Sequence, residues 1–459
     1  MLKILIFTIL TATLGRGFIF NDPCPAPPPC RCYGTVVNCV YKHLTTVPLF
    51  NFTALNHREL TLDLRTNKFT SVPAHALGNI NETNIDRITI FLQENRIASI
   101  NDDAFDGFGN SSVEINLSNN NLTSLPRALM KIANLDSLWL LDNHVAYLSD
   151  GIMTHIGRTL KTFHIDMSAL AIWPRAMNHL TEVTELHLTN IPFRTLPDTA
   201  FGGMLKIERF EIEKSKLNGI PAAICQLRSL IHLEFQFNTH IPNTATHLMS
   251  TCAVPLSNVG YVSLNYNNLF FFPSNVFKVF PNTTTLGLSN NFISEIPADA
   301  VPTGAPLYYF YIGHNQFTRL PSVISKMPEL LTLIASGNKM TSIDGTTLSN
   351  LKKLRQVTLN DIPLAYIDPH AFSTSYTLRD LHLERTNLTS VPAAIMHTAD
   401  RFSASLVGSP VVCTCSNLAF IRAWPASSFQ SHEKRIRGDC VNINSSIQDF
   451  IINMEVSCP

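Results

Sequence analysis

One spacing limits what this chain can fold into. Between residues 51 and 408 the pattern L-x-x-L-x-L-x-x-N-x-L-x-x-L-P recurs, most clearly at 112–126, 307–321 and 378–392. Its ninth position falls at Asn67, Asn95, Asn120, Asn143, Ser168, Ile191, Ser215, Asn238, Asn267, Asn291, Asn315, Asn338, Ile362 and Thr386. These fourteen copies lie 23 to 25 residues apart, except for gaps of 28 and 29. A period this regular marks a stack of like coils. One coil is too small to bury its own apolar side; stacked coils bury it together, each touching only its neighbours.

Strand alternation assigns the positions within a copy. The fourth and sixth point inward, as at Ile115 and Leu117 or Leu381 and Leu383. The third, fifth and seventh point outward. The ninth-position Asn is structural: its amide satisfies backbone groups where the chain leaves the strand. Ser, Thr or Ile replaces it in five copies, so the Asn column is interrupted there. Pro follows at the fifteenth position in nine copies, favouring an extended return path. The expected fold is an α/β solenoid of horseshoe form. It has a parallel concave sheet and a convex side of irregular, 3-10 or short-helix segments.

An open stack exposes apolar end faces and needs caps. Ten cysteines supply candidates. Cys24, Cys30, Cys32 and Cys39 read C-x5-C-x-C-x6-C, and Cys413, Cys415, Cys440 and Cys458 read C-x-C-x24-C-x17-C, with Phe420-Ile421-Arg422-Ala423-Trp424 following the first pair. With these motifs flanking the repeats, the chain resembles secreted extracellular leucine-rich-repeat proteins with cysteine-rich caps, the group of chondroadherin, slit and the small leucine-rich proteoglycans. The resemblance implies pairings Cys24–Cys32, Cys30–Cys39, Cys413–Cys440 and Cys415–Cys458, and a short Trp-bearing helix that closes the core. Spacing alone does not fix those pairings. Cys225 and Cys252 fall on the return sides of adjacent copies, so a fifth disulfide is expected; two separate buried thiols are the rival reading.

The start of the chain agrees with an oxidising compartment. Lys3 and the apolar run Ile4 to Leu14 look like a secretory leader ending near Gly17. The expected organisation is a signal peptide over 1–17, an N-terminal cap over 18–50, repeats over 51–408 and a C-terminal cap over 409–459. The leader is too short to span a bilayer, and no later apolar run reaches about 20 residues. The end at Pro459, just past the last cap cysteine, disfavours a receptor ectodomain. Glycan acceptor sequences begin at Asn51, Asn81, Asn110, Asn116, Asn121, Asn282, Asn387 and Asn444.

The outward columns carry the functional expectation. Phe91, Trp139 and Leu141 form an apolar zone. His164, Asp166, Glu185, His187, Arg209, Glu211, Glu213, His232 and Glu234 form an acidic, histidine-rich one. Tyr261, Tyr309 and Tyr311, flanked by Phe237 and Tyr266, form an aromatic one. Aromatic groups beside charges are what interface hot spots contain. The candidate ligand-binding residues are His164, His187, Glu211, Glu213, Glu234, Tyr261, Tyr309 and Tyr311. The middle zone has three other readings: a solvated face, a divalent-metal site using His164, His187 and nearby carboxylates, or a pH-sensitive contact. A sugar on Asn116, beside Phe91 and Trp139, would displace a partner toward copies five to eleven.

Equal numbers of basic and acidic side chains, 34 of each, give no field for nucleic acid. No catalytic motif, phosphate-binding loop or cofactor fingerprint occurs. The expectation is a non-enzymatic secreted protein, without cofactor or resident metal. The resemblance implies a protein or proteoglycan ligand held on the concave face. The alternative is a non-catalytic or inhibitory subunit of a secreted enzyme.

Overall fold

A computed structural model describes residues 24–52, 57–77, 80, 84–242, 247–348, 350–431, 433–454 and 458. The expected signal peptide and Asn81 lie outside them. The chain forms two compact units, residues 1–162 and 163–459. Both are β-solenoids of stacked parallel strands, as the repeat demands.

In the first unit, β1 (Arg31–Tyr33) and β2 (Val36–Asn38) form an antiparallel hairpin. Disulfides Cys24–Cys32 and Cys30–Cys39 brace it. Parallel strands β3 (Glu59–Asp63), β4 (Arg87–Phe91), β5 (Ser112–Asn116) and β6 (Asn134–Leu140) follow in order from β2.

The second unit opens within β7 (Thr162–Asp166). It continues through β8 (Glu185–Thr189), β9 (Arg209–Glu213), β10 (His232–Gln236), β11 (Tyr261–Ser263), β12 (Thr285–Gly287) and β13 (Tyr309–Tyr311). Then come β14 (Thr332–Ile334), β15 (Gln356–Thr358), β16 (Asp380–His382), β17 (Phe402–Ser405) and β18 (Lys434–Arg437). From β8 onward each strand pairs in parallel with the next. Cys413–Cys440 and Cys415–Cys458 tie the C-terminal segments together.

The inward positions form the core: Ile115, Leu117, Leu186, Leu188, Phe210, Phe310, Leu381 and Leu383 are all fully covered. The residue before the ninth position takes a left-handed conformation in every copy except the fifth, as at Asn119, Asn190, Phe237, Tyr266 and Gly337. That conformation turns the chain off the strand, and the ninth-position Asn fastens the turn. Asn315 accepts from the Ile293 amide at 3.0 Å and donates to the carbonyls of Leu288 at 2.8 Å and Ile312 at 3.2 Å. One side chain thus bonds its own turn and the coil before it. Asn120, Asn291 and Asn338 repeat the arrangement.

The return sides carry short 3-10 turns, among them Arg127–Lys131, Arg175–His179, Ala222–Gln226, Ser322–Lys326 and Ala393–His397. Each is preceded by a repeat Pro in extended conformation: Pro126, Pro174, Pro221, Pro321 and Pro392. Proline therefore sets the entry to a turn, a role that suits its fixed φ and missing N–H. Cys225 and Cys252 are joined, linking the return sides of neighbouring coils. The family's Trp-bearing helix takes a different form here. Trp424 lies just past the 3-10 turn Ala419–Ala423 and is half-exposed, with Lys434 Nζ 4.5 Å from its ring centre. Ile421 and Phe429 are the fully buried side chains beside it.

Replacing Asn315 with Ala leaves the Ile293 amide unpaired inside the stack and removes one of the two donors to each of the Leu288 and Ile312 carbonyls. Unfolding free energy should fall by about 2–3 kcal/mol, read as a lower urea midpoint, while exposed Asn350→Ala leaves the midpoint unchanged.

Candidate functional site

The expected site residues lie on the outward face of the second unit's sheet. Parallel register places Glu185, Arg209, His232 and Tyr261 in one row, and His187, Glu211, Glu234 and Ser263 in the next. Glu213 faces Thr189 and Gln236 in the third.

These side chains are not a solvated face. His187, Glu211, Glu213 and Glu234 are only 7%, 7%, 8% and 6% exposed. Neighbouring strands lie about 4.8 Å apart, so long side chains on adjacent strands lie against one another and exclude water although they point outward. Burial then requires partners. The Arg209 guanidinium donates to Glu211 Oε1 at 2.6 and 3.0 Å and to Glu234 Oε1 at 2.9 Å. His232 Nε2 lies 2.8 Å from the same Glu234 oxygen, and Gln236 donates to the other. His164 Nε2 lies 3.0 Å from Glu185 Oε1, and the two rings His164 and His187 meet edge to face at 5.1 Å. Asp166 accepts from the Ser168 amide and from Asn190 Nδ2.

His187 stands between two carboxylates. Its Nδ1 is 3.7 Å from Glu211 Oε2 and its Nε2 is 3.7 Å from Glu213 Oε2. Nε2 is buried and has no hydrogen-bond partner among the described residues. His187, Glu211 and Glu213 each offer a ligand atom within 4.8 Å of the other two, and so do Glu211, His232 and Glu234. These are the residues that could hold a metal ion. His164 belongs to neither group.

The acidic and aromatic zones are continuous. The His232 and Tyr261 rings stack at 4.0 Å, nearly coplanar at 7°. Burial raises the Tyr261 and Tyr311 hydroxyl pKa above the usual value. Tyr309 is 38% exposed, on the row of Tyr261 with Thr285 between them. Ser263 and Gly287 are the small residues that precede Tyr311 in its row of the sheet. A Cβ at Gly287 would come 3.0 Å from Asn265 Nδ2 and 3.3 Å from Ser263 Oγ, so those side chains would have to shift to admit it.

The motif described as "Leucine rich repeat" matches residues 89–145, and that described as "BspA type Leucine rich repeat region (6 copies)" matches 325–400. Podocan-like protein 1 of Mus musculus is 22% identical over 410 residues, covering 82% of this chain and 70% of that protein. A leucine-rich-repeat protein of Leptospira interrogans superposes with a TM-score of 0.56 at 22% identity, covering 84% of this chain and 92% of that one. This is a leucine-rich-repeat protein with cysteine caps. A glycosylated Toll–Spätzle complex from Drosophila contains a further neighbour of this leucine-rich-repeat protein. Its TM-score is 0.58 at 18% identity, covering 86% of this chain and 60% of that one. At such identities the structural likeness concerns the fold.

The repeat register places the columns but misses contacts made beyond the strands. Phe237 and Tyr266 stack at 4.6 Å, and Phe270 and Phe292 stack at 5.0 Å, all four partly exposed. Phe270 and Phe292 come from different points of successive copies, the twelfth position of one and the tenth of the next, so no single column of the repeat pairs them. In the first unit Asn116 lies in register between Phe91 and Trp139 and is half-buried. The acceptor residues Asn51, Asn110, Asn121, Asn282, Asn387 and Asn444 are exposed.

Two outcomes follow for the acidic cluster. The His164 hydrogen bond holds the Glu185 carboxyl below its usual pKa. Its stabilisation is therefore present above the unfolded carboxylate value of about 4.3 and is lost as pH falls through the lower folded value. The stability gap between wild type and Glu185→Gln should close across that acid window in urea titrations at stepped pH. Arg209→Met leaves Glu211 and Glu234 buried without their guanidinium. At neutral pH it should cost about 3 kcal/mol, recovered in part by adding Glu211→Gln.

Proposed function

We propose that this is a secreted, non-enzymatic binding protein whose outward sheet face, from β8 to β13, holds an extracellular protein or proteoglycan core protein. The continuous surface of buried charge and half-exposed aromatic rings carries this reading. Large, stiff side chains at Tyr261, Tyr309 and Tyr311 give contact area at low entropic cost. Phe237 and Tyr266 adopt left-handed backbone conformations that bulky residues seldom take, and their stacked rings stay partly exposed. Costly geometry that leaves apolar rings in water suits a recognition surface.

Charge narrows the partner. Over β7 to β10 the outward residues include five carboxylates, Asp166, Glu185, Glu211, Glu213 and Glu234, against one guanidinium, Arg209. That excess favours a partner with basic side chains and disfavours direct contact with sulfated sugar chains. Five disulfides and exposed glycan acceptor sequences support an extracellular setting. The Toll–Spätzle neighbour is a repeat protein in a complex with a protein ligand, which supports the same class of partner.

The test is a binding screen of the full chain against extracellular-fluid proteins and isolated proteoglycans. Wild type is compared with Tyr309→Ala/Tyr311→Ala and with His187→Ala/Glu211→Ala. The tyrosine pair should weaken the specific partner at least tenfold, about 1.4 kcal/mol. Unchanged binding by both double variants would place the partner elsewhere. A stoichiometric enzyme as the captured partner would instead support a regulatory subunit.

A further inference from the structure

We propose that His187, Glu211 and Glu213 form a binding site for one divalent first-row cation, of which zinc is the reference. The site would be built into the sheet face at β8 and β9. It goes beyond partner binding and does not depend on it.

Three independent features point to an ion at this place. First, the donor set is right: one imidazole and two carboxylates are ligands that zinc and its neighbours accept, while the imidazole disfavours magnesium and calcium. Second, the spacing is right. One ligand atom from each residue lies within 4.8 Å of the other two, and the His187 nitrogens are each 3.7 Å from a carboxylate oxygen. Bonds of about 2.0–2.2 Å in a tetrahedron set ligand atoms about 3.4 Å apart. One imidazole nitrogen ligates, so Nε2 and Glu213 are already near that spacing, and Glu211, whose Oε2 lies against Nδ1, completes the site by rotating its carboxylate. Third, His187 is more than nine-tenths buried, and its Nε2 points toward Glu213 without a hydrogen-bond partner among the described residues. A buried ring nitrogen normally has a partner, and an exception calls for an explanation.

The surroundings select this group over the adjacent one. Glu234 has both oxygens engaged, by Arg209 and His232 on Oε1 and by Gln236 on Oε2. Arg209 also takes Oε1 of Glu211, which leaves Oε2 of Glu211 directed at His187. The guanidinium therefore holds Glu211 in place while its second oxygen remains able to ligate. The surplus of carboxylates on these strands supplies the negative potential that a dication needs. Strand register fixes both glutamates at alternate positions of β9, opposite and diagonal to His187 on β8, so the site is largely formed before any ion binds.

The full disulfide-bonded chain, stripped with chelator, is titrated with zinc by calorimetry and with cobalt by visible absorption. One equivalent of each should bind saturably, with zinc displacing cobalt. His187→Gln and Glu213→Gln should each weaken binding at least tenfold. His370→Gln, an exposed imidazole beside Asp368 and outside the sheet face, should leave it within about twofold. X-ray absorption of the zinc-loaded wild type needs no variant and should show imidazole nitrogen and carboxylate oxygen ligands without sulfur. Absence of saturable binding, a shell lacking imidazole, or binding unchanged in both folded variants overturns the site. Because the probe is the metal alone, its failure says nothing against the partner surface.

Discussion

Hydrogen bonds from the turn-closing asparagines organise everything above them. Each inward-pointing amide ties its own turn to the coil before it, so every copy leaves the sheet at the same point. The strands consequently stay in register, and residues 23 to 25 apart in sequence become lateral neighbours, as Glu185, Arg209 and His232 do. Neither an apolar core nor strand propensity fixes register this closely, because both tolerate slippage by two residues. The bonds are buried, where an unpaired amide or carbonyl is costly. The left-handed residue beside each Asn is the conformational cost of that turn, and it is met even by Phe237 and Tyr266.

Where the Asn is replaced, other side chains take up its function. Asn238 Oδ1 accepts from both the amide and the hydroxyl of Ser215, and Ser409 Oγ accepts from the Thr386 amide. In the fifth copy the turn takes another form. Met167 lacks the left-handed conformation, and the seventh-position Asp166 accepts from the Ser168 amide at 2.7 Å. Hydroxyls and an outward carboxylate thus pair backbone groups at three of the five replacements, Ser168, Ser215 and Thr386.

The periodicity, the inward columns and the composition of the outward rows were all legible in the sequence, because they follow from a fixed period and strand alternation. Burial of the outward rows was not. Alternation assigns each side chain to a face but says nothing about how far neighbouring side chains shield one another. His187 is nearly inaccessible because His164 and Glu211 pack against it, and Glu234 because Arg209, His232 and Gln236 all bond it. Small residues in the same columns, Ser263 and Gly287, are buried too, so side-chain length alone does not set exposure on this face. The stack of His232 on Tyr261 shows the same limit: two zones that read as separate along the chain share one contact across the sheet. Phe270 and Phe292 lie beyond the strands, where no alternation rule applies.

The acidic cluster coincides with the run of copies whose ninth position is not Asn: Ser168, Ile191 and Ser215. Asp166 gives a physical reason for part of that overlap, since its two oxygens serve Ser168 and Asn190 and so join the surface network to the turns beneath it. Charge on this face is then partly structural, and the fixed cation Arg209 balances only part of it. Glu211 and Glu213 are nearly buried, so added positive charge beside them is stabilising. A protonated imidazole, a bound dication or a partner's basic side chain each supplies it, and each would act at His187, Glu211 and Glu213, where both imidazole nitrogens stand 3.7 Å from a carboxylate oxygen. Stability and recognition therefore draw on the same surplus of negative charge in this part of the sheet.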